Sequence, residues 1–145
     1  MSLQWHYQSR PDVGILALAG KLGVKDAPIL HGAIGWTLYH GTGPLILDLS
    51  ALTAWTSLGQ AAVIESALRL AKAQRRLEIA ALPTGYPDLV TDTEHAAIPV
   101  HTDVLSALTA NHATIEPAGE LREWRSAGWP DSDPRTRQPG SARRP

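Results

Sequence analysis

At 145 residues, 43% of them hydrophobic and 19% charged, the chain is long enough to bury one core of ordinary size and too apolar to stay unfolded. A net charge of -1 gives no pull toward nucleic acid or an anionic membrane, and the absence of cysteine excludes disulfides, thiolate metal sites and cysteine nucleophiles. No apolar run approaches the ~20 residues that cross a bilayer. MSLQWHYQSRPD lacks the apolar stretch of a signal peptide, so a cytoplasmic location with no membrane partner is expected.

In chain order, residues 3–8 alternate weakly and predict a first strand, with a turn at Pro11-Asp12. Residues 13–19 (VGILALA) predict a second strand ending at Gly20, and the two pair as a hairpin-like element. Asp26-Ala27-Pro28 is a helix start, a capping acid followed by proline in the first turn. Leu30, Ile34 and Leu38 draw its apolar stripe, which Trp36 and Tyr39 are expected to widen, and Gly41-Thr42-Gly43-Pro44 stops it. That turn lacks the G-K-S/T of a phosphate loop. Residues 45–49 (LILDL) predict a strand buried on both faces. A helix from about Leu58 to Gln74 follows, with Ile64, Leu68 and Ala71 on the packed face and Glu65, Arg69 and Lys72 toward water. Residues 77–82 predict a strand, 86–95 a short helix or irregular turn, and Ile98-Pro99-Val100 a brief edge strand, since proline cannot donate to a ladder. Thr102 or Asp103 caps a last helix carrying Val104, Leu105 and Leu108.

Alternation of this kind implies an α/β fold: a mostly parallel or mixed sheet of about four to five strands with helices packed against it. Residues 1–111 are assigned to that domain. Residues 112–145 read as a Pro/Arg-rich extension, partly disordered at PDSDPRTRQPGSARRP, with Trp124 and Trp129 expected to dock back on the domain. Arg135, Arg137, Arg143 and Arg144 read as a solubilising tail.

The stretch most suggestive of function is LDLSALTAWTSLGQ, residues 47–60. Ser57 with Gln60 three residues later fits a capping box, which contributes about 1 kcal/mol. The same free N–H groups and helix dipole would accommodate a phosphoserine dianion. The turn also lies at the carboxyl end of a strand, where α/β sheets carry functional loops. Trp55, two residues earlier, divides between core packing and an interface anchor. A hydrolase triad of Ser57, Asp48 and a histidine lacks a G-x-S-x-G elbow. The six histidines, His6, His31, His40, His95, His101 and His112, have no ligand-like spacing, so neither a metal nor another cofactor is expected.

The run from about Val13 to Leu108 resembles a STAS domain, the fold of bacterial anti-sigma factor antagonists. The resemblance rests on Leu47-Asp48-Leu49-Ser50, then Thr53, then Thr56-Ser57-Leu58-Gly59, set against the family's L-D-L-S strand and D-S-S-G helix start, with spacing kept throughout. Gly20 at the end of the second strand and Ile98-Pro99-Val100-His101-Thr102-Asp103 before the last helix agree with it. The resemblance implies a non-enzymatic switch that binds an anti-sigma factor, a serine kinase of the histidine-kinase-like ATPase fold. Ser57 would be the phosphorylation site, with Thr56 as the alternative acceptor, and a serine phosphatase would reset it. The partner-binding set so implied is Asp48, Ser50, Trp55, Thr56, Ser57, Leu58 and Gly59. Thr56 and Leu58 stand where the family has aspartate and a second serine. This departure leaves open an alternative, a STAS interaction module that is never phosphorylated and serves a larger signalling or transport assembly.

Overall fold

The computed structural model describes residues 3–82, 98–111, 122–126 and 129. The hairpin forms as expected: β1 (Gln4–Ser9) pairs antiparallel with β2 (Gly14–Leu22). A single 3-10 turn (Val24–Asp26) then leads into α1 (Ala27–Tyr39), with Pro28 in its first turn. After β3 (Leu45–Trp55), α2 (Ser57–Lys72) and β4 (Leu77–Ala80) complete two βαβ units. β5 (Val100–His101) is the edge strand that Pro99 predicted, and Asp103 caps α3 (Val104–Ala110). A last strand, β6 (Arg122–Arg125), pairs antiparallel with β1. The sheet therefore has six strands in the order β5-β4-β3-β2-β1-β6, one more than the upper expectation, with β2 to β5 parallel. The expected helix or turn at 86–95 lies outside the described residues.

Strand alternation divides the core between two faces. Leu16 and Leu18 of β2, Leu45, Leu47 and Leu49 of β3, and Leu77 and Ile79 of β4 meet Leu30, Ala33 and Ile34 of α1 and Val63, Ala67 and Leu70 of α2. On the other face, Val13, Ile15, Ile46 and Ala80 lie under Ala107 and Leu108 of α3. Leu105, expected in that packing, is exposed. The buried stripe of α2 is also displaced from expectation. Val63, Ala67 and Leu70 face the sheet, Ile64 packs at the margin, and Ala71 is exposed. Tyr39 does not widen the α1 stripe, being 88% exposed, while Trp36 packs edge-on against Trp124.

β3 is twice as long as the sequence suggests, and two bulges explain why. Ala17 pairs with Asp48 but Ala19 with Ala51, and Gly20 pairs with Leu52 but Lys21 with Ala54. Each shift inserts one extra residue into β3 and resets its side-chain phase. Hence Leu49, Leu52 and Trp55 all point inward at three-residue spacing, which matches neither the strand nor the helix period. Asp48 Oδ1 accepts the Ser50 N–H at 3.0 Å, and Thr53 Oγ1 donates to the Gly20 carbonyl at 2.8 Å, so side chains satisfy groups at both irregularities.

Candidate functional site

Trp55 ends β3 and Ser57 opens α2, so residue 56 alone makes the turn. Its position is fixed three ways. Thr56 N–H donates to the Leu22 carbonyl at 3.0 Å, its own carbonyl accepts from Gln60 N at 2.9 Å, and its Oγ1 accepts from Gly59 N at 3.1 Å. The N-cap is therefore Thr56, with extended backbone, and not Ser57. The Ser57–Gln60 capping box does not form, because the helix starts one residue earlier than that box requires.

Gly59 sets this register. A Cβ there would run into the Leu22 carbonyl oxygen and lie 3.0 Å from Leu22 Cγ. Only glycine lets α2 press this closely on the end of β2. With Gly59 turned inward, Ser57 and Leu58 turn outward. Ser57 is exposed, and no described residue shares a hydrogen bond with its hydroxyl. By helix geometry, the Ser57 and Leu58 N–H groups have no carbonyl partner within α2, so they and the positive end of the helix dipole face the serine.

A largely apolar groove borders the first turns of α2. Leu58 is 58% exposed, Val24 across the groove is 61% exposed, and both line a shallow groove with Ala27, Ala61, Ala62 and Glu65. Two N–H groups, from Gly23 at 3.0 Å and Leu3 at 3.3 Å, donate to the buried carboxylate of Asp26 and hold the loop that presents Val24. Val24 carries no motif of its own. Its part becomes visible only when β2 and β3 end side by side, at the Leu22–Trp55 pair.

The expected partner-binding residues thus separate. Thr56, Ser57, Leu58 and Gly59 are brought together, with Gly59 buried as the spacer. Trp55 is not at the surface: it is 3% exposed and belongs to the core. Asp48 and Ser50 lie about 20 Å back along β3, by strand rise, and serve the bulge there. Among the described residues, no three His, Asp or Glu side chains gather as metal ligands, and no helix is long and apolar enough to cross a membrane.

Comparison with known proteins agrees with this fold. A family model described as the MlaB-type STAS domain matches residues 5–95. An anti-sigma factor antagonist from Mycobacterium paratuberculosis superposes with a TM-score of 0.62, is 24% identical, and is covered over 92% of its length by 74% of this chain. The anti-sigma factor antagonist SpoIIAA, solved in its unphosphorylated form, gives a TM-score of 0.48 at 13% identity over 70% of this chain and 88% of that one. No curated protein sequence matches. The match over residues 5–95, which spans the hairpin, both βαβ units and the Thr56–Gly59 turn, places the chain in the STAS-domain family.

Proposed function

We propose that the protein is a non-enzymatic regulatory switch of the anti-sigma factor antagonist type, which binds an anti-sigma factor through the first turn of α2 and the facing Val24 loop. One observation carries the reading: an exposed serine at the first position of α2, excused from capping by Thr56 and followed in the chain by the exposed Leu58. An exposed apolar side chain and an apolar groove next to a helix start suit a protein interface. A phosphate on Ser57 would be held by the open N–H groups yet would bring about two negative charges into that interface, opposing contact. Thr56 is the poorer acceptor, because its oxygen is already engaged with Gly59 N. The partner in this reading is a serine kinase of the histidine-kinase-like ATPase fold, with a serine phosphatase to reverse the mark.

Capture from a lysate of the native host, with wild type and Ser57→Asp as parallel baits, tests it. A kinase-fold anti-sigma factor held by wild type and lost by the aspartate variant is the expected result. Identical partners on both baits, with no such kinase, would instead favour the constitutive STAS interaction module.

A further inference from the structure

α1 carries no Asp, Glu, Lys or Arg, yet one side of it faces solvent. Tyr39, in its last turn, is 88% exposed. Beside this ring, between α1 and α2, lies a notch of about 280 Å³ lined by Gly35, Leu38, Tyr39, Arg69 and Ala73. A narrow crevice between the same helices continues it toward their N-termini, with Arg69 on the wall of both. By helix rise, the notch is about 17 Å from the Val24–Leu58 groove.

Arg69 is held in place at the edge of this notch. Its Nη1 donates to the His31 carbonyl at 2.8 Å and lies 3.2 Å from His31 Nδ1. Gly35 makes room for the guanidinium, because a Cβ there would stand 3.0 Å from Nη2. Among the described residues, no carboxylate lies within 4 Å of Arg69. Glu65, one turn earlier on α2, lines the crevice but not the notch. Lys72, one turn later, is exposed and adds a second positive charge.

The charge and the walls together select an occupant. Both walls are helices, whose backbone groups are already paired, so an occupant finds no strand edge and must satisfy its own backbone, as a helix does. Arginine and tyrosine beside an apolar notch are the residue types that anchor protein contacts. A second copy of this face would set Arg69 and Lys72 against their own counterparts, like charge on like. An acidic partner meets no such opposition.

We propose that this face docks a helix of a partner protein, which seats an aliphatic side chain in the notch and sets a carboxylate, one turn away, on the Arg69 guanidinium. The proposal does not depend on the reading of Ser57.

The test is a ¹⁵N–¹H titration of the full chain with an alanine-based helical peptide of about 14 residues. The peptide carries Leu, Glu and Leu at i, i+4 and i+7 of one face, and a twin has Gln in place of Glu. Saturable shifts at Gly35, Leu38, Tyr39, Arg69 and Ala73 are expected with the Glu peptide. The Gln twin, and Arg69→Gln with the Glu peptide, should each bind about tenfold more weakly. Gly35→Ala displaces the guanidinium and should weaken binding with the thermal midpoint at or above that of wild type, since alanine is the better helix former. Tyr39→Ala should weaken it with the midpoint unchanged, because the ring is exposed. Shifts that never saturate, equal affinity for the two peptides, or wild-type affinity in Arg69→Gln and Tyr39→Ala would overturn the proposal. Concentration-dependent shifts at the same residues without peptide would also overturn it, and would assign the face to a second copy.

Discussion

Beside Ser57, where β2 and β3 end, the surface is Val24 and Leu58. Beside Gly41, where the same strands begin, it is Arg10, Thr42 and Arg122. Each end contains one buried carboxylate, Asp26 at the first and Glu78 at the second. Each also hides a donor with no partner among the described residues, Trp55 Nε1 at the first and Arg75 Nη2 at the second. The difference lies in how the chain reverses. At the Ser57 end a strand runs into a helix start, which turns N–H groups outward and lets apolar residues flank them. At the other end a helix runs out into a strand, which leaves carbonyls that arginine must satisfy. One sheet thus ends in an exposed apolar groove and begins beside a pocket lined by Arg10 and Arg122.

Gly59→Ala strikes the first end hardest. The added methyl meets the Leu22 backbone, which cannot move without disturbing the Leu22–Trp55 pair. The expected loss is about 3 kcal/mol of stability, read by urea unfolding. An unchanged midpoint would mean that α2 stands further from β2 than this geometry requires. At the other end, Arg75→Met removes the donors to two carbonyls while keeping the bulk. A loss of about 2 kcal/mol is expected. Near-neutrality would show that water replaces the guanidinium at the end of α1.

Acid should separate the ends as well. Burial raises the Glu78 carboxyl, but hydrogen bonds from Asn111, His101 and Arg76, with the charge of Arg76, outweigh that and hold its pKa below the ordinary value. A group depressed in the folded state contributes stability above its unfolded pKa and loses it as pH falls through the folded one. The thermal midpoint of wild type should therefore drop faster than that of Glu78→Gln between about pH 5 and pH 3. Parallel pH profiles for the two proteins would remove Glu78 as the source.

The strand-helix alternation, the Gly41–Pro44 turn and the hydroxyl turn at residues 56–57 could all be read from local pattern, because their signals are complete within a few residues. The second half of β3 could not, because its bulges break the period that identifies a strand. β6 was hidden for another reason: Trp124 signalled docking on the domain, as its packing on Tyr7 bears out, but Arg122-Glu123-Trp124-Arg125 becomes a strand only by pairing with β1. That pairing also brings Arg122 beside Arg10, so the basic pocket was not legible in either stretch alone. On α2, Ile64-Leu68-Ala71 and Val63-Ala67-Leu70 are equally spaced, and the inward turn of Gly59 selects the second set.

The smallest expected effect concerns the adjacent hydroxyls Thr56 and Ser57, which sequence spacing assigned in the wrong order. Thr56 Oγ1 accepts from Gly59 N, so Thr56→Ala should cost about 1 kcal/mol, the ordinary worth of an N-cap. Ser57→Ala removes an exposed hydroxyl from the first helical position and should change stability by no more than about 0.5 kcal/mol in either direction. Chemical denaturation of the two variants beside wild type measures both. A reversed order would make Ser57 the cap and withdraw it from the surface that the switch requires. The expected order leaves stability to one hydroxyl and frees its neighbour for modification, so Ser57→Ala can then be used in binding experiments without a folding correction.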